Sequence, residues 1–522
     1  MIAVKLLITS ALLLSVDCYI VDPGPKVIAT KGEVWPKPQL QQNYDSYFIV
    51  QPQIFEFRII WDGYQKGRDN FDSSSNIYYK KLWLSDDNYL GYLSTLNVSL
   101  HGPCVEDEYP SFSMSEEYTL VVTDRTVELS SNTTWGILRG LETFSQLIYR
   151  GDDTITLRIN STVIMDYPRF SHRGLLLDTA RHYIPMDKIL TTLDAMVYNK
   201  MNVFHWHIVD DQSFPYVSKK FPELSEKGAY TNAMVYSPSD IKEVIEYARI
   251  RGIRVLPEFD TPGHTRSWGV ARPELLTECY SDGYKTGQLG PLDPTKNDSY
   301  SFLQDLFQEI GEVFPDEYIH LGGDEVDFDC WESNPDITAF MEKHNITGQY
   351  AELESLYIQQ LINIVDELNS KSIVWEEVFV NGVVLPNDTL VHVWKGGWEV
   401  TIFDVTATGR PALLSACWYL DHLDSDGDWE KFYSCDPYGF FGTDEQKKLV
   451  LGGEACMWSE VVNEYNVISR VWPRASAAAE KLWSSENVTD VTDAAKRLEE
   501  HTCRMNARGI GAQPPNAAGY CL

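Results

Sequence analysis

Eight short apolar runs recur through the last two thirds of this 522-residue chain, and they constrain its fold more than any other feature. They occupy residues 174–179, 203–210, 254–259, 318–323, 372–377, 390–395, 412–419 and 450–458. Most are separated by stretches of helical periodicity. Strands that alternate with helices pair in parallel, and eight such units close into a (β/α)8 barrel. The helix expected over residues 239–251, with Ser239 as its cap, is the best marked of the connecting segments. One unit is irregular. About a dozen residues separate the fifth and sixth runs, and they include Gly382 and Pro386. The expectation there is a loop in place of a barrel helix.

Ahead of the barrel, residues 19–168 read as a small α+β domain with an antiparallel sheet. Residues 118–122 and 126–129 alternate like strands, and residues 134–149 carry Trp135, Leu138, Leu141, Phe144 and Ile148 near helical spacing. No chemistry is visible in this part. Residues 1–18 hold one lysine, Lys5, and then an apolar run from Leu6 to Val16. That length suits a signal peptide and is too short to span a bilayer. No other apolar run reaches spanning length.

Acidic residues outnumber basic ones by 76 to 43, a net charge of −33. Nucleic acid and anionic membranes are poor partners for such a surface. Behind a signal peptide, the sequons at Asn97, Asn132, Asn160, Asn297, Asn345, Asn387 and Asn487 are candidate glycosylation sites. Eight cysteines follow Cys18 and can form disulfides in an oxidising compartment. Cys417 and Cys435 flank one loop and are paired on proximity. Cys456 reads as a buried free thiol.

Polar and aromatic residues gather at the carboxyl ends of the eight runs: Asp178 and Arg181; His207 and Asp210; Glu258, Asp260 and His264; Asp324 and Glu325; Trp375; Trp394; Tyr419 and Asp421; Trp458 and Glu460. This is the face on which such barrels carry their sites. The sharpest of these ends is Tyr318-Ile319-His320-Leu321-Gly322-Gly323-Asp324-Glu325, a strand, two glycines and two adjacent carboxylates. Like charges at close range resist joint ionisation. Glu325 is read as a proton donor and Asp324 as its positioning partner. His205-Trp206-His207 admits a second reading, because residues two apart on a strand face one way and could bind a metal.

The stretch HLGGDEVDFDCW (residues 320–331) resembles the active-site signature of the family 20 β-N-acetylhexosaminidases, of the lysosomal hexosaminidase type. GLLLDTARHYIP, NVFHWHIVDDQSFP, RGIRVLPEFDTPGH and GGEACMWSE match in the same order. The resemblance implies a TIM-barrel glycosidase, residues 169–522, that removes terminal GlcNAc or GalNAc without metal or cofactor. It assigns catalysis to Glu325, Asp324 and Tyr419. Arg181, Trp375, Trp394, Asp421, Trp458 and Glu460 become substrate-binding residues, with Asp210 and His264 behind them. It pairs Cys279 with Cys330 and Cys503 with Cys521, leaves Cys104 without its usual partner, and implies a homo- or heterodimer that is lysosomal or secreted. Close alternatives are a chitooligosaccharide-degrading hexosaminidase and an inactive glycan-binding lectin. An intact Asp324-Glu325-Tyr419 set argues against the lectin, since a binder has no use for a general acid. In the family, the residues after the pocket tyrosine tune tolerance of anionic substrates. Asp421 matches the neutral-preferring type, and His422 departs from both known patterns.

Overall fold

The structure is a computed structural model that describes residues 26–61, 88–423 and 428–521. The expected leader, residues 1–18, lies outside the described residues. Eight parallel strands close into a barrel. They are His172–Asp178, Val203–His207, Arg254–Glu258, Tyr318–His320, Lys371–Trp375, Leu390–Val393, Ala412–Leu414 and Val450–Met457. The last strand pairs with the first, so the sheet has no open edge. Each expected run therefore became one strand, and the eight follow one another around the barrel in sequence order.

The apolar runs fold this way because both faces are covered. Leu175, Leu177, Phe204, Val255, Ile319, Val374, Val391 and Leu414 belong to one buried cluster, which also takes in the apolar stripes of the outer helices. The helix Pro238–Arg249 shows the pattern, burying Ile241, Val244, Ile245 and Ala248. Its cap is Ser237 and not Ser239. Ser237 accepts from Asp240 N while Asp240 bonds back to the Ser237 backbone, a capping box with Pro238 in the first turn. Ser239 lies two residues further along, inside the first turn. Between the fifth and sixth strands the chain makes a one-turn helix, Glu376–Val380, followed by a loop. A full barrel helix is missing there, as the spacing requires.

The N-terminal domain holds an eight-stranded sheet and the helix Thr134–Leu147, capped by Thr133. The sheet is mixed and not antiparallel. Strands Leu40–Val50 and Tyr118–Val122 pair antiparallel with Leu157–Asp166, and Tyr118–Val122 pairs antiparallel with Thr126–Ser131. Strand Thr95–Leu100 instead runs parallel to both Glu56–Trp61 and Thr126–Ser131. Alternating burial is common to both pairings, so strand direction depends on how the connections cross over. The domain is tied to the barrel by a buried ion cluster. Glu116 lies 2.7 Å from Arg139 Nε and 2.6 Å from Arg173 Nη2, with all three side chains at most 1% exposed.

Disulfides join Cys279–Cys330, Cys417–Cys435 and Cys503–Cys521, the three expected pairs. The first holds the hairpin of Leu276–Ser281 and Tyr284–Leu292 against the helix that follows the acid pair. Cys104 is exposed and unpaired, and Cys456 is buried and unpaired. Among the described residues, no helix is long and apolar enough to cross a membrane.

Candidate active site

The fourth strand ends at His320, and the chain then turns through Leu321, Gly322 and Gly323 to the acid pair. The two glycines are required by their surroundings. Both have positive φ, 72° and 97°. A Cβ on Gly322 would lie 1.6 Å from Asp260 Oδ1, and one on Gly323 would lie 2.4 Å from Val378 Cγ2. Gly323 N donates to Asp260 Oδ1 at 2.9 Å. Glu325 (φ 49°) and His264 (φ 55°) also occupy the left-handed region, which disfavours residues with a Cβ and is held by surrounding structure at functional sites.

His264 stands at the centre of the carboxylates. Its Nε2 lies 3.7 Å from Asp324 Oδ2, 3.7 Å from Glu325 Oε2 and 3.9 Å from Asp260 Oδ2. Burial works against charge on the imidazole, but Asp260 and Asp324 outweigh it and hold its pKa well above the usual range. Asp260 is held well above the usual carboxylate range by burial and by the neighbouring Asp324. Asp324 keeps a buried Oδ1 with no hydrogen-bond partner among the described residues. Glu325 points outward with its side chain 61% exposed, so the protein alone does not exclude water from it.

Asp210 and Arg181 complete the polar side. Arg181 Nη2 lies 2.8 Å from Asp210 Oδ2, and its guanidinium sits 4.8 Å from the Trp458 ring centroid. Burial opposes ionisation of Asp210, yet hydrogen bonds from His207 and His264, with Arg181 beside it, hold its pKa far below the usual range. Glu460 is exposed and close enough for its charge to act on Arg181. The aromatic side is one cluster. Trp375, Trp458, Cys456 and Leu176 pack together, with Trp394 and Tyr419 against them. Trp394 stacks on Tyr419 at 5.8 Å between centroids, and Trp375 lies 6.0 Å from Trp458. The Tyr419 backbone is bridged to Cys456 on the eighth strand.

The His205-x-His207 pair is absorbed into a buried ladder. Glu454 lies 2.6 Å from His172 Nε2 and 2.7 Å from His205 Nδ1. Glu258 lies 3.1 Å from His205 Nε2 and 2.5 Å from His207 Nδ1, and His207 Nε2 reaches Asp210 at 2.7 Å. Burial lowers the affinity of His205 and His207 for protons, but the adjoining carboxylates push both up to about 9. His205 and His207 both contact Glu258, so the shared face seen in the sequence serves ion pairing.

All the residues expected at the strand ends meet on this face. Lys395 pairs with Glu377 Oε1 at 2.8 Å. The sequence reading placed Glu258 and Asp260 at a strand end on this face without a specific role, and it did not single out Glu377. Glu258 and Asp260 lie two apart at a strand end, and that alternation is the signal that could have placed them on one face.

A further acid lies behind the site. Glu354 is fully buried, accepts from Asn381 Nδ2 at 2.7 Å, and has no partner on Oε1 among the described residues. Burial pushes its pKa up to about 7. The folded state therefore binds a proton more tightly than the unfolded chain. That contribution is complete below about pH 4.5 and is lost as pH rises toward 7. Glu354→Gln should leave the melting temperature nearly unchanged at pH 4.5 and raise it relative to wild type at pH 8, by a stability gain of about 3 kcal/mol. Equal differences at both pH values would contradict the assignment.

The comparisons with known proteins agree with this geometry. Residues 170–486 match the catalytic domain of glycosyl hydrolase family 20, and residues 53–147 match a β-acetyl hexosaminidase-like domain. The chain is 54% identical to human beta-hexosaminidase subunit beta over 427 residues, covering 82% of this chain and 76% of that one. It is 48% identical to mouse beta-hexosaminidase subunit alpha over 502 residues, 94% of each. The structure superposes on a chitobiase from Flavobacterium johnsoniae with a TM-score of 0.77 at 31% identity, over 92% of this chain and 73% of that chain. With the acid pair, the aromatic cluster and the barrel agreeing with a sequence match over most of its length, the chain belongs to glycosyl hydrolase family 20.

Proposed function

We propose that this protein is an exo-acting β-N-acetylhexosaminidase that removes terminal, non-reducing GlcNAc and GalNAc from glycoconjugates. The observation that carries the reading is the Asp324–Glu325 pair, one carboxylate buried beside His264 and the aromatic cluster, the other pointing outward. Ordinary retaining glycosidases set two carboxylates about 5 Å apart across the sugar, and family 20 is an exception that uses the substrate itself. Neighbours in sequence cannot flank a sugar. They can act in tandem on one side of it.

In this scheme the 2-acetamido oxygen attacks the anomeric carbon as the glycosidic C–O bond breaks. Glu325 gives its proton to the leaving oxygen. Asp324 accepts the acetamido N–H on its unpaired Oδ1 and offsets the positive charge of the oxazolinium. Tyr419 donates to the acetamido oxygen. Glu325 then takes a proton from water as the water attacks the anomeric carbon and the ring opens. Trp375, Trp394 and Trp458 enclose the acetamido group and the sugar face. Arg181 and Glu460 hold the outer hydroxyls and close the non-reducing end, which makes the action exo. Residues 169–522 carry the catalysis and residues 19–168 support them. A chromogenic GlcNAc glycoside should be cleaved, while the glucoside lacking the acetamido group should be inert; cleavage of both at similar rates would overturn the reading. The likeness to a chitobiase favours a second reading, a chitooligosaccharide-degrading hexosaminidase. Release of GalNAc from glycans separates it from the first.

The disulfides and the likeness to beta-hexosaminidase subunits support a lysosomal or secreted homo- or heterodimer. Five of the seven sequons, those at Asn132, Asn297, Asn345, Asn387 and Asn487, are exposed and open to glycosylation.

Specificity for charge rests on Asp421 and His422. The Asp421 side chain is 16% exposed and lies 3.4 Å from His422 Nε2. Burial raises the pKa of Asp421, and His422 opposes that rise. Asp421 repels a 6-sulfate on the bound sugar and loses that charge at a higher pH than an ordinary carboxylate. Neutral substrates should be favoured over 6-sulfated GlcNAc by about ten- to a hundredfold near neutral pH, with the gap narrowing in acid. The double variant Asp421→Asn, His422→Arg should gain sulfated-substrate activity relative to neutral. Comparable wild-type rates on both substrates from about pH 4 to 7, the range over which a carboxylate and an imidazole titrate, would refute this.

A further inference from the structure

Two indoles of the aromatic wall do not simply pack. Each donates its N–H to a carboxylate: Trp375 Nε1 to Glu258 Oε1 at 2.8 Å, and Trp394 Nε1 to Glu377 Oε2 at 2.9 Å. The second bond is the more telling. Glu377 sits on the one-turn helix that replaces a barrel helix, directly after the strand that carries Trp375. Its neighbour Glu376 accepts the backbone amides of Trp394 and Lys395 at 3.0 and 3.3 Å. Two successive carboxylates thus pin the backbone and the ring of one tryptophan. That ring stacks on Tyr419 with an interplanar angle of 21° and meets Trp375 edge-on at 6.5 Å.

The arrangement is unfavourable for Glu377 itself. Its side chain is only 12% exposed. Burial, and then the nearby Asp324, raise its pKa, while Lys395 and the Trp394 indole offset part of this. A wall that needed only apolar area would be better served by an aliphatic residue. What the carboxylate adds is direction, since a charge-assisted bond to a single N–H fixes the plane of the indole. A ring so fixed sets the face that the Trp394–Tyr419 stack presents beside Trp375.

We propose that Glu377 is a positioning residue that orients Trp394 and thereby sets the enzyme's selectivity for the size of the N-acyl group. The proposal rests on the reading of this cluster as the acetamido pocket. The effect is transmitted through Trp394 to Tyr419 and needs no contact between Glu377 and substrate.

The test uses the full chain and aryl glycosides of N-acetyl-, N-propionyl- and N-butyryl-glucosamine. Wild type should strongly prefer the N-acetyl compound. Glu377→Asp keeps the charge but withdraws the oxygen from the indole. It should lower kcat/KM on the N-acetyl substrate by about tenfold and compress the N-acetyl to N-butyryl ratio by about fivefold or more. Glu377→Gln keeps an acceptor in place and should hold the ratio within about twofold of wild type. Lys395→Met removes the ion pair and the cation that lies 5.2 Å over the Trp394 ring, leaves the indole N–H bond in place, and should also hold the ratio. If Glu377→Asp does not fold, Glu377→Met takes its place. A uniform fall on all three substrates, or a loss of selectivity in Glu377→Gln equal to that in Glu377→Asp, overturns the proposal. A wild type indifferent to the acyl group would instead overturn the reading of the pocket on which it rests.

Discussion

Glu325→Gln should lower kcat by about 10³- to 10⁴-fold on substrates with poor leaving groups, with KM little changed. The amide has the size of the acid but carries no transferable proton. Nothing in the fold depends on the charge, because the side chain is 61% exposed and its nearest basic atom, His264 Nε2, is 3.7 Å away. The loss should shrink as the leaving group becomes more acidic, since such groups depart without protonation. Deglycosylation should slow as well, because the same carboxylate activates the water. A set of aryl glycosides of graded phenol acidity checks this. A constant loss across the series would remove Glu325 from the acid role, and activity near that of wild type would remove it from catalysis.

Asp324→Asn should lower kcat/KM by about 10²-fold or more, although it deletes no proton donor. The wild-type carboxylate presents a buried Oδ1 with no partner among the described residues, beside the aromatic cluster, and its Oδ2 lies 3.7 Å from His264. That oxygen is placed to accept the acetamido N–H and to face the positive charge of the oxazolinium. The amide keeps one acceptor but brings no charge. It also removes the neighbouring charge that helps to hold the Asp260 pKa up, so Asp260 should ionise at lower pH in the variant. A thiazoline mimic of the intermediate should inhibit wild type strongly and the variant weakly. Equal inhibition of both proteins would contradict the role given to Asp324.

The two variants separate parts that sequence alone had placed side by side. Both acids stand at the end of one strand, and nothing in the dipeptide says which is buried. The structure separates them through Gly322 and Gly323, whose positive φ turns the chain so that Asp324 goes inward to Asp260 and His264. Glu325 is left facing out. A turn of this kind depends on the side chain of Asp260, 62 residues before Gly322 in the chain, because it leaves no room for a Cβ at Gly322.

The eight strands, their order and the face that carries the site were legible in the sequence, because apolar runs buried on both sides and polar residues at their ends are local patterns. The long motifs also carried the family. The cap of the helix Pro238–Arg249 was misplaced by two residues, since several serines near a helix start look alike until one of them meets the third amide. The mixed sheet was missed because period-two alternation is the same in parallel and antiparallel pairing. Only the tertiary structure decided the partners of the buried charges: Glu258 joining three histidines and Trp375, Asp260 set beside Asp324, Glu377 holding Trp394. Those contacts join residues far apart in the chain. Buried away from water, each such group is stable only with the partner that the fold brings to it.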